Sequence, residues 1–264
     1  MVNNRFRSAA TLLAVGAMLG TAGLSQGISA ATSGPTVVRS GSKLDAADAV
    51  DRFRSLLGPD NGGSPGGDPK GHREINWDGV PDEQAEPNAY VGDFFNAPTA
   101  PRARGAVLKS VGGGRLAVSA RAGNPAGVEP RFGNINPSYS TQFTTFSPER
   151  LFSPVGTNTV DLTFRVPGTT TRAAVRGFGA IYTDVDRPEG ASFRYYDPKG
   201  RLLGTYRVPA APGSLSFLGV VFRDPVVARI RIVYGNRPLG PDESSRVDVA
   251  VMDDFFYGEP NAIE

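Results

Sequence analysis

The chemical resource of this chain is carboxylate. Its 264 residues include 26 Asp and Glu, a single His and no Cys. Thiolate metal sites, disulfides and Cys nucleophiles are therefore excluded, as is any centre that needs two histidines. The one histidine, His72, sits between Gly71 and Arg73 at the end of a Gly/Pro-rich stretch, and no Gly-x-Ser-x-Gly elbow accompanies it. It reads as an exposed loop residue, and no catalytic residue is assigned.

The carboxylates are segregated along the chain. Residues 74–101 carry six acids and no base, and residues 242–264 carry seven acids against Arg246. Residues 102–131 hold six bases against Glu129, and residues 199–241 hold seven against Asp224. In the first acidic segment Glu74, Asn76 and Asp78 stand at period two, so a strand would turn them one way and Ile75 and Trp77 the other. In the second, Asp253 and Asp254 are adjacent, so a regular strand would send one of them inward. A buried carboxylate requires a cation, an Arg or backbone donors. If the two segments pair, Glu74, Asn76, Asp78, Asp253 and Asp254 form an oxygen-ligand set suited to Ca²⁺. The alternative is an Arg salt bridge or capping of loop amides, and 24 of the 28 bases are Arg. Asp184 and Asp186 offer a further pair that a calcium site or a glycosidase would use, although an ordinary strand terminus accounts for them. Trp77 reads as a core anchor.

These residues must be positioned mostly by strands. With 33 Gly and 22 Pro the chain is heavily punctuated, which favours short strands and turns over long helices. One amphipathic helix is predicted over about 44–57, capped by Ser42 and stopped at Gly58-Pro59. Its apolar positions are Ala46, Ala49, Val50, Phe53, Leu56 and Leu57. Residues 32–71 are otherwise read as a mobile segment ending in a Gly/Pro-rich loop. From about residue 72 some ten strands follow. Among them are a hairpin around Gly112-Gly113-Gly114, another around Asp197-Pro198-Lys199-Gly200, and a strand over 141–146. Residues 121–140 read as a long loop. The fold class expected is all-β: an antiparallel β-sandwich or jelly roll over 72–264, with one short N-terminal helix.

Residues 1–31 read as a secretory signal, with Arg5 and Arg7 ahead of an apolar stretch and small residues at Ser29, Ala30 and Ala31. That implies an exported product with no transmembrane segment after cleavage. Cleavage removes two Arg and leaves 26 bases against 26 acids, so net charge gives no support for nucleic-acid binding.

The run Arg73-Glu74-Ile75-Asn76-Trp77-Asp78-Gly79-Val80-Pro81 resembles a family of uncharacterised secreted bacterial proteins. Asp93-Phe94-Phe95-Asn96, Phe132-Gly133-Asn134-Ile135-Asn136-Pro137 and Val251-Met252-Asp253-Asp254-Phe255 carry the same resemblance. The later half is also similar to the jelly-roll ectodomains of PEP-CTERM-type exported proteins. Neither resemblance implies a particular chemistry. The expectation is a secreted, non-catalytic binding module for glycan or an envelope component, with Ca²⁺ as structural cofactor. Two rivals stay open: a carboxylate-based glycan hydrolase, and a structural or adhesion protein of the envelope or matrix.

Overall fold

The computed structural model describes residues 34–241 and 246–263. The export signal expected over 1–31 lies outside them. Strand β1 (Thr36–Ser40) and helix α1 (Lys43–Leu57) come first, then β2 (His72–Ile75), β3 (Ala106–Ser110) and β4 (Arg115–Val118). A four-residue helix α2 (Tyr139–Gln142) precedes β5 (Phe152–Val155), β6 (Thr159–Arg165), β7 (Arg172–Ala174) and β8 (Gly177–Val185). The chain closes with β9 (Ser192–Tyr196), β10 (Leu202–Arg207), β11 (Ala211–Val221), β12 (Arg229–Val233), β13 (Val251–Gly258) and β14 (Asn261–Ala262).

Two antiparallel sheets form a sandwich. The first runs β1-β11-β8-β13-β5-β4, with β2 also paired to β13. The second runs β10-β9-β12-β6-β7-β14, with β3 also paired to β6. Their facing sides share one core, in which Phe178, Tyr182, Met252 and Phe255 meet Leu162, Phe193, Ile230 and Ile232. The sheets differ in what covers their outer sides. Burial in β6 and β12 alternates residue by residue, as in a sheet with one wet face. Every residue of β8 and β13 is buried. The first sheet is covered by α1 at one end and by the 121–151 region at the other, where Phe132, Tyr139, Phe143 and Leu151 pack on Ala117 and Val251.

Helix α1 forms where its spacing predicts. Ser42 caps it, accepting from the Asp45 amide at 3.2 Å and donating to the Asp45 carboxylate at 2.6 Å. Alone it would be too short to persist. It docks by inserting Phe53 over two glycines, Gly179 on β8 and Gly219 on β11, which are direct cross-strand partners. A Cβ built on Gly219 would stand 2.5 Å from the Phe53 ring, and one on Gly179 would stand 2.9 Å away. Two missing side chains thus make the notch that seats the helix.

Several local expectations are corrected. The segment ahead of the helix is not a mobile lead: β1 pairs with β11 over Thr36–Ser40, so the compact unit begins at Gly34 rather than at 72. The Gly/Pro-rich loop is held by the buried guanidinium of Arg73. That group donates to the carbonyls of Gly62, Ser64, Gly66 and Ala103 and grips Glu259 at 2.7 and 2.9 Å. Gly112-Gly113-Gly114 makes no hairpin. All three have positive φ, and they carry the chain from β3 in the second sheet to β4 in the first. The strand expected over 141–146 does not form: 141 and 142 end helix α2, and 143–146 are irregular.

Phe53→Ala should cost about 3–5 kcal/mol by the usual cost of truncating a buried aromatic. Gly219→Ala should cost about 1–3 kcal/mol through overpacking. Urea denaturation reads both, and a Gly219→Ala protein as stable as wild type would rule out the notch.

Candidate functional site

The two acidic segments do pair. β2 lies antiparallel to β13, with Ile75 opposite Phe255 and Glu74 opposite Phe256. The five expected ligand residues nevertheless divide into two groups, because the strand stops at Ile75. Asn76 turns its side-chain oxygen onto the Asp78 amide at 2.8 Å and starts a short 3₁₀ turn, Trp77–Gly79. The period-two alternation expected over 74–78 is broken there.

Glu74 is left on the α1 side. It accepts from Arg54 at 2.7 and 2.8 Å, and His72 Nε2 lies 3.0 Å from the same carboxylate. Burial alone would raise the Glu74 carboxyl, but hydrogen bonds from His72 and Arg54 outweigh it and hold the group at about 2. His72 is buried, not exposed as its neighbours suggested, and its Nδ1 faces the Gly58 carbonyl at 2.6 Å. Burial opposes its protonation, yet the Glu74 and Gly58 acceptors prevail and raise its pKa. This group is an ion-paired clamp between helix and sheet.

Three of the other four residues gather around a hydroxyl that the sequence did not single out, with Asp78 beside them. Ser147 Oγ lies 3.2 Å from Asp253 Oδ1, 3.1 Å from Asp254 Oδ1 and 3.3 Å from Asn76 Nδ2. Asp253 also accepts from the Phe146 amide at 2.7 Å. Asp78 faces the same loop and accepts from the amides of Glu149 and Arg150. The aspartates meet because β13 is bulged at that point. Met252 is opposite Tyr182 and Phe255 opposite Ala180, so two residues on β13 span one on β8. The bulge resets the alternation. Met252 and Phe255 both enter the core, and Asp253 and Asp254 both turn to Ser147 instead of to opposite faces. Trp77 closes the inner side. Its Nε1 donates to the Asp253 carbonyl at 2.9 Å, and its ring stacks on Phe152 at 4.3 Å, the core anchor expected.

Asp253 is 0% exposed and Asp254 5%. Neither forms an ion pair with a described residue, and neither does Asp78. Burial raises the pKa of both members of the pair. The charge of Asp253 raises Asp254 further, and Asp78 adds to both. Burial and mutual charge thus favour protonation at this pair over two bare carboxylates.

Several other acids are satisfied locally. Asp82 is bound by Arg121 and Arg150, and hydrogen bonds from those two hold its pKa down. Glu86 pairs with Arg115. Asp184 accepts from the Gly213 amide at 2.7 Å, and Asp248 accepts from the amides of Asp186 and Arg187. Asp184 thus serves a turn at the strand end, while burial and the charges of Asp184 and Asp248 raise the Asp186 carboxyl beside it. Among the described residues, no group of three or more Asp, Glu, His or Cys side chains stands in a metal-holding arrangement. No helix there is long and apolar enough to cross a membrane. Comparison with family models, with curated proteins and with solved structures finds no match to this chain.

The two carboxylate groups should give opposite pH dependences. Glu74 has a depressed folded pKa. Its stabilisation is complete above its unfolded value, about 4.5, and is lost as pH falls toward about 2. Asp254 has a raised one. Without added divalent cation, stability falls as pH climbs from about 4 through the folded value. Melting scans from pH 3 to 9 should show Glu74→Gln losing the acid-side slope and Asp254→Asn losing the alkaline-side slope. Unchanged slopes would refute either assignment.

Proposed function

We propose that this chain is an exported, non-catalytic β-sandwich module that binds glycan, with a structural Ca²⁺ at the bulge of β13. One observation carries the reading. Asp253 and Asp254 are buried side by side with no basic side chain paired to them, whereas Asp82, Glu86, Asp161, Asp197 and Glu259 each hold an Arg. A chain with 24 Arg that leaves this pair without one leaves room for a different cation. The candidate ligands are oxygen only: both carboxylates, the Ser147 hydroxyl and the Asn76 side chain once its Asx turn opens. Asp78 is drawn off to cap residues 149 and 150, and Glu74 belongs to the Arg54 clamp. Two carboxylates with neutral oxygens suit a hard divalent ion of modest affinity.

The non-catalytic part rests on the same geometry. A hydrolase needs two carboxylates across an open cleft. This pair lies under the 146–150 loop, and the carboxylates lining the shallow cavity beside Asn88 include Asp82 and Glu86, which Arg residues hold. The export part rests on the N-terminal pattern of basic residues, apolar stretch and small residues.

Saturating Ca²⁺ at about 100 times its Kd should raise the Tm of the wild type by roughly 5–10 °C over chelator. Asp254→Asn should abolish the rise. Equal melting temperatures with Ca²⁺ and chelator would dismiss the metal. Release of reducing ends from a polysaccharide, lost in Asp254→Asn, would replace the module with a hydrolase.

A further inference from the structure

The outer side of the second sheet is the one sheet face on which no described element packs, and its charge is lopsided. The strands of this sheet contain seven basic residues and a single acid, Asp161. The bases are not dispersed to avoid one another. Arg165 on β6 is the direct cross-strand partner of Arg172 on β7. Arg231 on β12 is the direct partner of Arg194 on β9. Like charges placed directly opposite across an antiparallel pair weaken it, so two such pairs on one face run against sheet stability. Asp161 answers only part of this. It binds Arg231 at 2.8 and 2.9 Å and reaches Arg229 at 3.3 Å. Arg165, Arg172 and Arg194 make no ion pair with a described residue, and neither do Arg207 or Lys109 at the flanks.

The face is also concave at one place. A cavity of about 210 Å³ opens between Arg165, Arg172 and Arg229, with Thr163 and the Asp197-Pro198 turn on its rim. Asp197 is itself neutralised by Arg201 at 2.7 Å. Three arginines therefore line this cleft, and two of them, Arg165 and Arg172, have no ion pair with a described residue.

We propose that this open face binds an acidic polysaccharide, with a carboxylate or sulfate of one sugar unit seated between Arg165, Arg172 and Arg229. The inference rests on the glycan-binding reading and names the class of glycan. Arg suits such a ligand, because its planar fork matches carboxylate and sulfate bidentately and never deprotonates. A neutral sugar would call for an open aromatic platform. Tyr196 is the one aromatic ring on the outer side of the central strands, and Arg229 covers it, with Cζ 3.7 Å from the ring centroid. The same covering removes the stacking surface that a single-stranded nucleic acid uses. A membrane would require apolar anchors, and Leu202, at the sheet edge, is the one large hydrophobic side chain of these strands classed as exposed.

Affinity electrophoresis of the full chain in gels containing polygalacturonate, dextran or no polysaccharide tests the proposal. Duplex DNA and phosphatidylserine vesicles serve as competitors. Retardation by polygalacturonate and not by dextran is expected, weakening about tenfold or more between 50 and 300 mM NaCl as exposed charges are screened. Arg172→Ser with Arg194→Ser should weaken it by a similar factor at unchanged Tm. Retardation by dextran that salt leaves intact would overturn the acidic ligand while leaving the binding module standing. Undiminished binding of the double variant would remove this face. Displacement by DNA or vesicles at equal charge would assign the face to that polyanion instead. No retardation by either polysaccharide would overturn both this inference and the glycan reading.

Discussion

The organising constraint is that β13 is buried on both sides. A strand between two covers has no water to satisfy its polar groups, so each must find a partner in the protein. β13 carries two aspartates at its middle and is followed directly by Glu259, and each of these acids recruits a different part of the chain. Glu259 recruits Arg73, and Arg73 then organises the Gly/Pro-rich loop through three backbone carbonyls and ties it to Ala103 through a fourth. Asp253 and Asp254 recruit the 146–147 turn, and the carbonyl of Asp253 recruits Trp77. Segments with little secondary structure of their own are ordered because a buried strand needs what they supply.

The same constraint explains the asymmetry of the sandwich. The first sheet spends its outer face on α1 and on the 121–151 region. The second keeps that face open, and its strands alternate accordingly. Glycine at 179 and 219 completes the division, since the notch that receives Phe53 exists on the first sheet alone. One sheet is thus built to be enclosed and the other to be presented.

Ile230 and Ile232 alternate with Arg229 and Arg231, the pattern of a half-solvated strand, so the presented sheet is legible in the sequence. The pairing of the two acidic segments, a condition in the sequence, is met where β2 joins β13 in the enclosed sheet. Helix α1, with its Ser42 cap, was equally plain. What escaped was set by single side-chain hydrogen bonds that carry no periodic signal. The Asn76 side chain on the Asp78 amide turned a strand into a 3₁₀ turn and separated Glu74 from the cluster. One extra residue in β13 put Asp253 and Asp254 on the same side. Ser147 looked like any loop serine, and Arg73 like any exposed base. His72 lay among glycines that mark a loop by composition, yet Glu74 and Gly58 hold it inside. Asn76 and His72 were decided by acceptors and donors close in sequence, whereas Ser147 and Arg73 were decided by partners more than a hundred residues away.

The charge segregation takes its meaning from these partners. Acids and bases nearly balance over the chain, 26 against 28, but they are not spread evenly over the fold. Arg73, Arg115, Arg150 and Arg201 neutralise carboxylates in loops and at strand ends, whereas the strands of the open sheet hold seven bases against Asp161. The titrating groups sit elsewhere, at the Asp253–Asp254 pair and at the Glu74–His72 clamp. Guanidinium groups do not lose their charge at ordinary pH, so the open face answers to ionic strength, while the enclosed strand responds to protons. The fold keeps those controls on opposite sheets, which allows the stability of the enclosed sheet to change without altering the charge that the open sheet presents.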